Sequence, residues 1–286
     1  MSEIVVTGAA GQLGRDLLEV LGSRGTGLGH GDLDVSDGAA VRTTLRNLAP
    51  RVVIHAAAAT DVDGCERKPC AAWATNARGT AHLAEACAEV GSALLYVSTD
   101  YVFDGQAASP YAPDAPVHPL SAYGRSKVAG ELAVQCLLPG RHWIVRTSWV
   151  FGRHGNNFPR TILRLAEAGQ DPLRVVADQC SSPTYAADLA RWLVRIVDAA
   201  EPGVYHAANS GTCSRFAFAV EILARAGIAR RVEPITTDQA PRPAARPAYS
   251  VLDTTTTASV VGPLRPYIAA LDDFLAAIGY PPTPRR

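Results

Sequence analysis

Apolar residues along this chain gather into short continuous runs, and between the runs they recur at helical spacing. Glu3–Thr7 is a short β-branched run, and a helical pattern opens directly after it with Leu13, Leu17, Leu18 and Leu21. A second strand is expected near Thr26–His30, where the β signal is poor in a glycine-rich stretch. Arg51–Ala56 reads as a buried strand and runs into four alanines, Ala56–Ala59, whose small side chains let a flat ligand lie against the backbone. His55, inside that run, reads as a satisfied core histidine. A long helical stretch spans about Ala71–Val90 and contains Asn76, placed there for packing or for a bond to a neighbouring strand end. Ala93–Val97 is the next buried strand. A helical pattern then runs through Val128, Leu132 and Val134, and Trp143–Arg146 is a further strand.

After Gly152 the pattern changes. Asn156-Asn157-Phe158 leads into a helix with Ile162, Leu163 and Leu165, and Val175-Val176 forms a short strand. The helix Tyr185–Val197 and the strand Val204–His206 read as a return to the main sheet. Helices near Phe216–Ala226 and Ile268–Ile278 follow, with a proline-rich segment, Pro241–Pro247, between them.

The turn after the first strand is Gly8-Ala9-Ala10-Gly11-Gln12-Leu13-Gly14. Gly8 permits the tight turn, Gly11 lets the backbone approach a pyrophosphate, and Gly14 allows close packing of helix and strand. The pyrophosphate then rests on the helix N-terminus. The expected fold is α/β, a Rossmann-like doubly wound parallel sheet with a smaller C-terminal substrate-binding lobe. Residues 1–150 form the dinucleotide-binding part, with a return segment at about 184–206; residues 151–183 and 207–286 form the lobe. In such folds an acidic residue further along holds the ribose hydroxyls. Asp32 and Asp34 lie in range, either for that task or as loop carboxylates, and His30 is the only basic candidate for a ribose phosphate. The cofactor is NADPH or NADH, and the sequence does not decide between them.

Candidate chemistry lies at the carboxyl end of the Ala93–Val97 strand, in Ser98-Thr99-Asp100-Tyr101-Val102-Phe103, and in Tyr123-Gly124-Arg125-Ser126-Lys127. In an open α/β sheet ligands bind at that edge. Tyr123 and Lys127 are four apart and share one helix face. A phenol, an ammonium and the Thr99 hydroxyl facing one cleft are the parts needed to protonate a carbonyl oxygen. The ammonium is expected to lower the phenol's pKa toward a working value. A Tyr and a Lys at this spacing also occur on ordinary helix surfaces. Composition sharpens the reading, because the chain has two lysines, Lys68 and Lys127, against 25 arginines. Trp149, at the end of the Trp143–Arg146 strand, stacks on a sugar or base, or belongs to the core. The Asp104–Leu120 loop lids the site or merely connects. An Arg in the proline-rich segment reaches a diphosphate bidentately, or sits in a solvated linker.

Lys+Arg and Asp+Glu balance at 27 each, which removes net charge as an argument for a nucleic-acid or membrane-surface partner. The six cysteines form no Cys-x-x-Cys pair, and Cys65 and Cys70 have no matching His pair, which argues against zinc. Scattered thiols fit a reducing compartment. The N-terminus shows no charged segment followed by an apolar one, and no apolar run approaches about 18 residues. The expectation is a soluble cytoplasmic protein.

These blocks, together with Arg146-Thr147-Ser148-Trp149-Val150, Gly155-Asn156-Asn157-Phe158, Ser182-Pro183-Thr184 and Ala245-Arg246-Pro247, resemble the extended short-chain dehydrogenase/reductases, and within them the dTDP-4-dehydrorhamnose reductase family. The resemblance covers essentially the whole length. It implies NAD(P)H-dependent reduction of the 4-keto group of a dTDP-linked 6-deoxy-L-hexose, with Thr99, Tyr123 and Lys127 catalytic. It places Gly11, Gln12 and Leu13 on the pyrophosphate, Asp34 and Val35 on the adenine, and Ala58 and Thr60 along the cofactor's path. Thr99, Asp100, Trp149 and Asn157 would contact the sugar nucleotide, with Arg246 on its diphosphate. Some members are dimers with a metal between subunits; a homodimer is therefore a candidate, and no acidic cluster seen in the sequence demands a metal. The chain departs from the family's pattern at Ala59, Ser181 and Tyr249, where an aromatic or His, a Gly and an Asn are usual. These departures leave open another keto sugar, as in a dihydrostreptose-type synthase. A regulatory subunit of the same fold is the alternative from another class, disfavoured by the complete Thr-Tyr-Lys set.

Overall fold

A computed structural model of the chain describes residues 3–280. The first two residues of the expected dinucleotide-binding part and the last six of the expected lobe lie outside the described residues. The apolar runs become β1 (Ile4–Thr7), β2 (Gly25–Leu28), β3 (Val52–His55), β4 (Ala93–Thr99) and β5 (His142–Thr147). With the strand Gly203–His206 they form one six-stranded sheet, in the order β2-β1-β3-β4-β5 and then Gly203–His206, every pair parallel. β1 and β3 are buried at all four positions, as befits strands covered on both faces. The chain leaves β1 toward β2 and then crosses to β3 on the other side. The order therefore reverses at the carboxyl ends of β1 and β3, which is where ligands bind in such sheets.

Helices cover both faces. On one, α1 (Gln12–Leu21) packs with the helix Ala186–Ala199 over Ile4, Val6, Ile54 and Val145. On the other, α2 (Gly38–Leu48), Gly79–Val90 and Ala122–Leu137 bury Val5, Val53, Leu94 and Ile144. Asp37 caps α2, its carboxylate accepting from the N–H groups of Ala39 and Ala40. A second core stands apart from the sheet. It gathers Phe151, Ile162, Leu163, Phe218, Ile222, Leu271 and Phe274, with the Phe151 ring stacked on Tyr185. Among the described residues no helix is long and apolar enough to cross a membrane.

β2 begins one residue earlier than the expected Thr26–His30 and ends two earlier. Asp32 explains the end: its carboxylate accepts from the Gly29 N–H at 2.8 Å and closes a tight loop there. The Asp104–Leu120 loop is fastened down. Tyr111 stacks on Phe103 at 4.1 Å, its N–H donates to Val251 O, and Arg146 Nη1 donates to Pro113 O.

Candidate active site

β4 delivers Thr99 at its carboxyl end, and a single 3-10 turn, Asp100–Val102, follows. The helix Ala122–Leu137 starts at Ser121, whose Oγ accepts from the Gly124 N–H at 3.1 Å. A Cβ on Gly124 would lie 2.2 Å from Tyr101 O, so glycine at this position lets the helix touch the turn. The contact sets the Tyr123 phenol beside the Thr99 hydroxyl, which acts on it to favour the phenolate. Asn76 fixes the helix from below. It sits in a π-helical segment, Ala74–Arg78, of the kind often found at functional sites. Its amide donates to Ser126 Oγ and to Ala59 O, both at 3.0 Å, and its oxygen accepts from the Ala59 N–H at 2.8 Å. Ser126 Oγ in turn donates to Tyr123 O at 2.7 Å. Asn76 thus bonds the strand end, the second of its two expected tasks.

Lys127 lies 2% exposed on the same helix face. Its Nζ donates to Val97 O at 2.8 Å and stands 4.0 Å over the Tyr96 ring. Burial pushes its pKa down to about 7, against the opposing pull of Glu131. Tyr123 departs from expectation. Its phenol is pushed up, chiefly by burial, with only the Thr99 hydroxyl pulling the other way. The ammonium that was expected to lower it is turned to the Val97 carbonyl instead. His55 is the satisfied core histidine expected, bonded to Thr7 Oγ1 at 2.7 Å and Thr80 Oγ1 at 3.1 Å, and burial drives its pKa down to about 3. Asp100 is buried as well. Its Oδ1 accepts from Thr99 Oγ1 at 3.1 Å and its Oδ2 from Ser250 and Ser181 Oγ at 2.5 and 3.3 Å. Burial raises its pKa to about 6 despite these three hydroxyls.

The glycine turn fits a dinucleotide. Gly8 has φ +70°, and a Cβ there would stand 2.6 Å from Ala57 N, so β1 and the segment after β3 meet as backbone against backbone. Gly14 presses on Gly8 O in the same way. Gly11 is the N-cap of α1 and supplies no side-chain cap, which leaves the N–H groups at Gln12 and Leu13 for an anion. Leu13 packs on the sheet core. Ala58 and Thr60 lie in the segment after β3, Thr60 exposed. Asp34 is exposed and bonded to Ser36 N and Oγ, which hold its carboxyl below the usual range; Val35 beside it is buried. Asn157 is engaged within the protein. Its oxygen caps the helix Phe158–Glu167, and its amide donates to Gln12 Oε1 at 2.8 Å and Gly152 O at 2.7 Å. It is a tie between the sheet and the second core.

A cavity of about 710 Å³ opens between the two cores, from Tyr101 past Arg215 to Thr161, Ile162 and Leu165. Arg246 lines it but is already engaged, making a bidentate pair with Asp63 at 2.9 and 3.0 Å; Arg242 stands 3.5 Å from the same carboxylate. Trp149 is held at φ +43°, and one face of its ring is covered by the Arg215 guanidinium at 3.5 Å.

The family described as the RmlD substrate binding domain matches residues 1–279. The chain belongs to this family. It is 45% identical over 284 residues to the dTDP-4-dehydrorhamnose reductase of Streptomyces griseus, covering 96% of this chain and 93% of the relative. Among solved structures it is similar to the reductase ortholog of Clostridium acetobutylicum, with TM-score 0.92, 40% identity and coverage of 96% and 98%. The Bacillus anthracis dTDP-4-dehydrorhamnose reductase, solved with NADP, also has TM-score 0.92, with 36% identity and coverage of 96% and 99%.

In this member of the family Arg215 lies on the cavity wall and went unread in the sequence; Asp63, expected in a loop facing the cleft, lines the same cavity and holds Arg246. An acidic cluster that the sequence did not reveal lies elsewhere. Asp16, Glu19 and His154 bring ligand atoms within 4.8 Å of one another. Arg153 bridges both carboxylates, 3.2 Å from Asp16, so the group stands as an ion-pair cluster.

Proposed function

We propose that this chain reduces the 4-keto group of dTDP-4-dehydrorhamnose to give dTDP-L-rhamnose. The observation that carries the reading is the meeting of Thr99 and Tyr123 at the end of β4, near a dinucleotide-fitting glycine turn and a cavity of about 710 Å³ that Tyr101 lines. Bound NAD(P)H supplies the hydride to carbon 4. Thr99 orients the carbonyl oxygen, and Tyr123 gives that oxygen its proton as the C=O bond becomes C–OH. A phenol raised by burial holds its proton throughout the neutral range, the form a donor needs. Lys127, one helical turn on and bonded to the Val97 carbonyl, is placed to hold the cofactor's ribose. Gly11, Gln12 and Leu13 take the pyrophosphate on the α1 N-terminus, Asp34 and Val35 take the adenine, and Ala58 and Thr60 flank the path between. Asp100 and Trp149 border the sugar. We read residues 1–150 with the return segment as the cofactor part and the second core as the substrate lobe of a cytoplasmic enzyme, a candidate homodimer with no nucleic-acid partner.

The test is oxidation of NADPH, and then NADH, by the purified protein with dTDP-4-dehydro-L-rhamnose, the product identified by NMR. Formation of dTDP-L-rhamnose is expected, and no turnover by a protein that binds the cofactor would overturn the reading. One observation favours a second reading, another keto sugar. Ser181, where the family usually has Gly, reaches the buried Asp100 directly. A different reduced sugar in the NMR spectrum would select it.

The reaction should also weaken with alkali. Lys127 loses its charge as pH rises through about 7, and its ammonium is then no longer there to hold the ribose. We expect kcat/KM to fall above about pH 7 in the parent and the fall to vanish in Lys127→Arg, at a lower plateau, because a guanidinium stays charged. A parent profile flat across that range would refute this role for Lys127.

A further inference from the structure

We propose that Arg215, not Arg246, is the principal ligand for the diphosphate of the sugar nucleotide; the inference rests on the reading of the cavity as the sugar-nucleotide site. Arg215 is the first residue of the helix Arg215–Arg225, whose N-cap is Ser214, with Oγ accepting from the Ala217 N–H at 3.0 Å. Its guanidinium lies 3.5 Å over the Trp149 ring and 5.0 Å from the Phe158 ring, and it lines the cavity together with Tyr101, whose side chain acts on it electrostatically. Stacking on an aromatic face fixes the plane of the fork and leaves its edge N–H groups for an anion.

Position along the cavity supports a phosphate rather than the base or the keto end. Tyr101 meets Tyr123 edge on at 5.9 Å, which marks the reacting end. Phe158 opens the helix that supplies Thr161, Ile162 and Leu165 to the cavity lining. Arg215 touches both Tyr101 and Phe158. A sugar nucleotide with its keto group at Tyr123 and its base along that helix has its diphosphate between them, beside Arg215.

Charge balance separates the two arginines. Arg246 is neutralised by Asp63 in a bidentate pair, and Arg242 leans on the same carboxylate. Arg215 has no carboxylate within 4.0 Å among the described residues. The one carboxylate that acts on it is Asp100, second to Tyr101 in effect, and three hydroxyls already bond it. Burial lowers the guanidinium's pKa, which marks a cation lacking compensation. A diphosphate supplies that compensation with short, charge-assisted bonds.

The test compares binding of dTDP and thymidine to the full-length protein by calorimetry, in the parent, Arg215→Met, Arg215→Lys and Arg246→Met. Met keeps an unbranched stem over Trp149 and removes the charge. Arg215→Met should weaken dTDP on the order of 10–100-fold, the range of a charge-assisted bond, and leave thymidine and NADPH unchanged. Arg215→Lys should recover part of the loss, and Arg246→Met should cost less than Arg215→Met. The inference is overturned if Arg215→Met weakens thymidine as much as dTDP, if it leaves dTDP unchanged, or if Arg246→Met carries the larger loss. Binding of dTDP needs no turnover. A protein that loses the dTDP increment in Arg215→Met but reduces no 4-keto sugar would therefore overturn the proposed reaction and support this assignment.

Discussion

Tyr123→Phe is expected to lower kcat by about 10²–10⁴-fold, the usual contribution of a positioned proton donor, with the Kd for NADPH unchanged. The phenyl ring keeps its edge contact with Tyr101, so packing survives. Loss of the hydroxyl orphans no buried partner, since Thr99 Oγ1 still donates to Asp100 and accepts from the Tyr101 N–H. The cofactor cradle at Gly8–Gly14 lies on another strand end and is untouched. Chemistry should therefore fail while folding and cofactor binding persist. Thr99→Val makes the useful contrast. It keeps the donor but strips a hydrogen bond from the buried Asp100 and another from the Tyr101 N–H, so it should lower the melting temperature as well as the rate. Stopped-flow hydride transfer and thermal unfolding read both. Turnover in Tyr123→Phe equal to the parent's, or a rate loss matched by an equal loss of NADPH affinity, would remove Tyr123 from the chemistry.

The parts of the site legible in the sequence are those that local backbone demands impose. Gly8 needs φ +70° and backbone contact with Ala57, and few residues satisfy that, so the glycine turn stands out. Lys127 stood out because lysine is rare in this chain. The return strand Gly203–His206 was readable from its own residues, though its place beside β5 is a tertiary fact. What escaped depends on burial or on distant partners. Lys127 was expected to lower the Tyr123 pKa, and spacing could not say that both groups would be desolvated and the ammonium turned to Val97. Asp63 and Arg246 are 183 residues apart. Arg215 carries no spacing to any catalytic residue; its one local signal is its place just after the Ser214 cap. Asn157 could have been read better, because an Asn two residues before a Pro at a helix start is a capping pattern.

Glu131→Gln should destabilise the fold by about 3–5 kcal/mol, because it leaves a buried guanidinium without its counter-charge. Glu131 and Arg146 are both buried, paired at 2.7 and 3.0 Å, with Ser98 Oγ donating to the same carboxylate at 2.5 Å. Arg146 also holds Pro113 O, so the pair ties β4, β5, the catalytic helix and the Asp104–Leu120 loop at one point. In a chain of this size the melting temperature should fall on the order of 10 °C. The double variant Glu131→Gln/Arg146→Met should recover part of that loss, since neither charge is then buried alone. The same substitution acts on the chemistry through Lys127, one helical turn away. Glu131 raises the Lys127 pKa against burial. Without it the ammonium loses its proton at lower pH, and the alkaline fall in kcat/KM should begin below about 7. Additive losses in the double variant would deny the pairing, and an unmoved pH limb in Glu131→Gln would deny the link to Lys127.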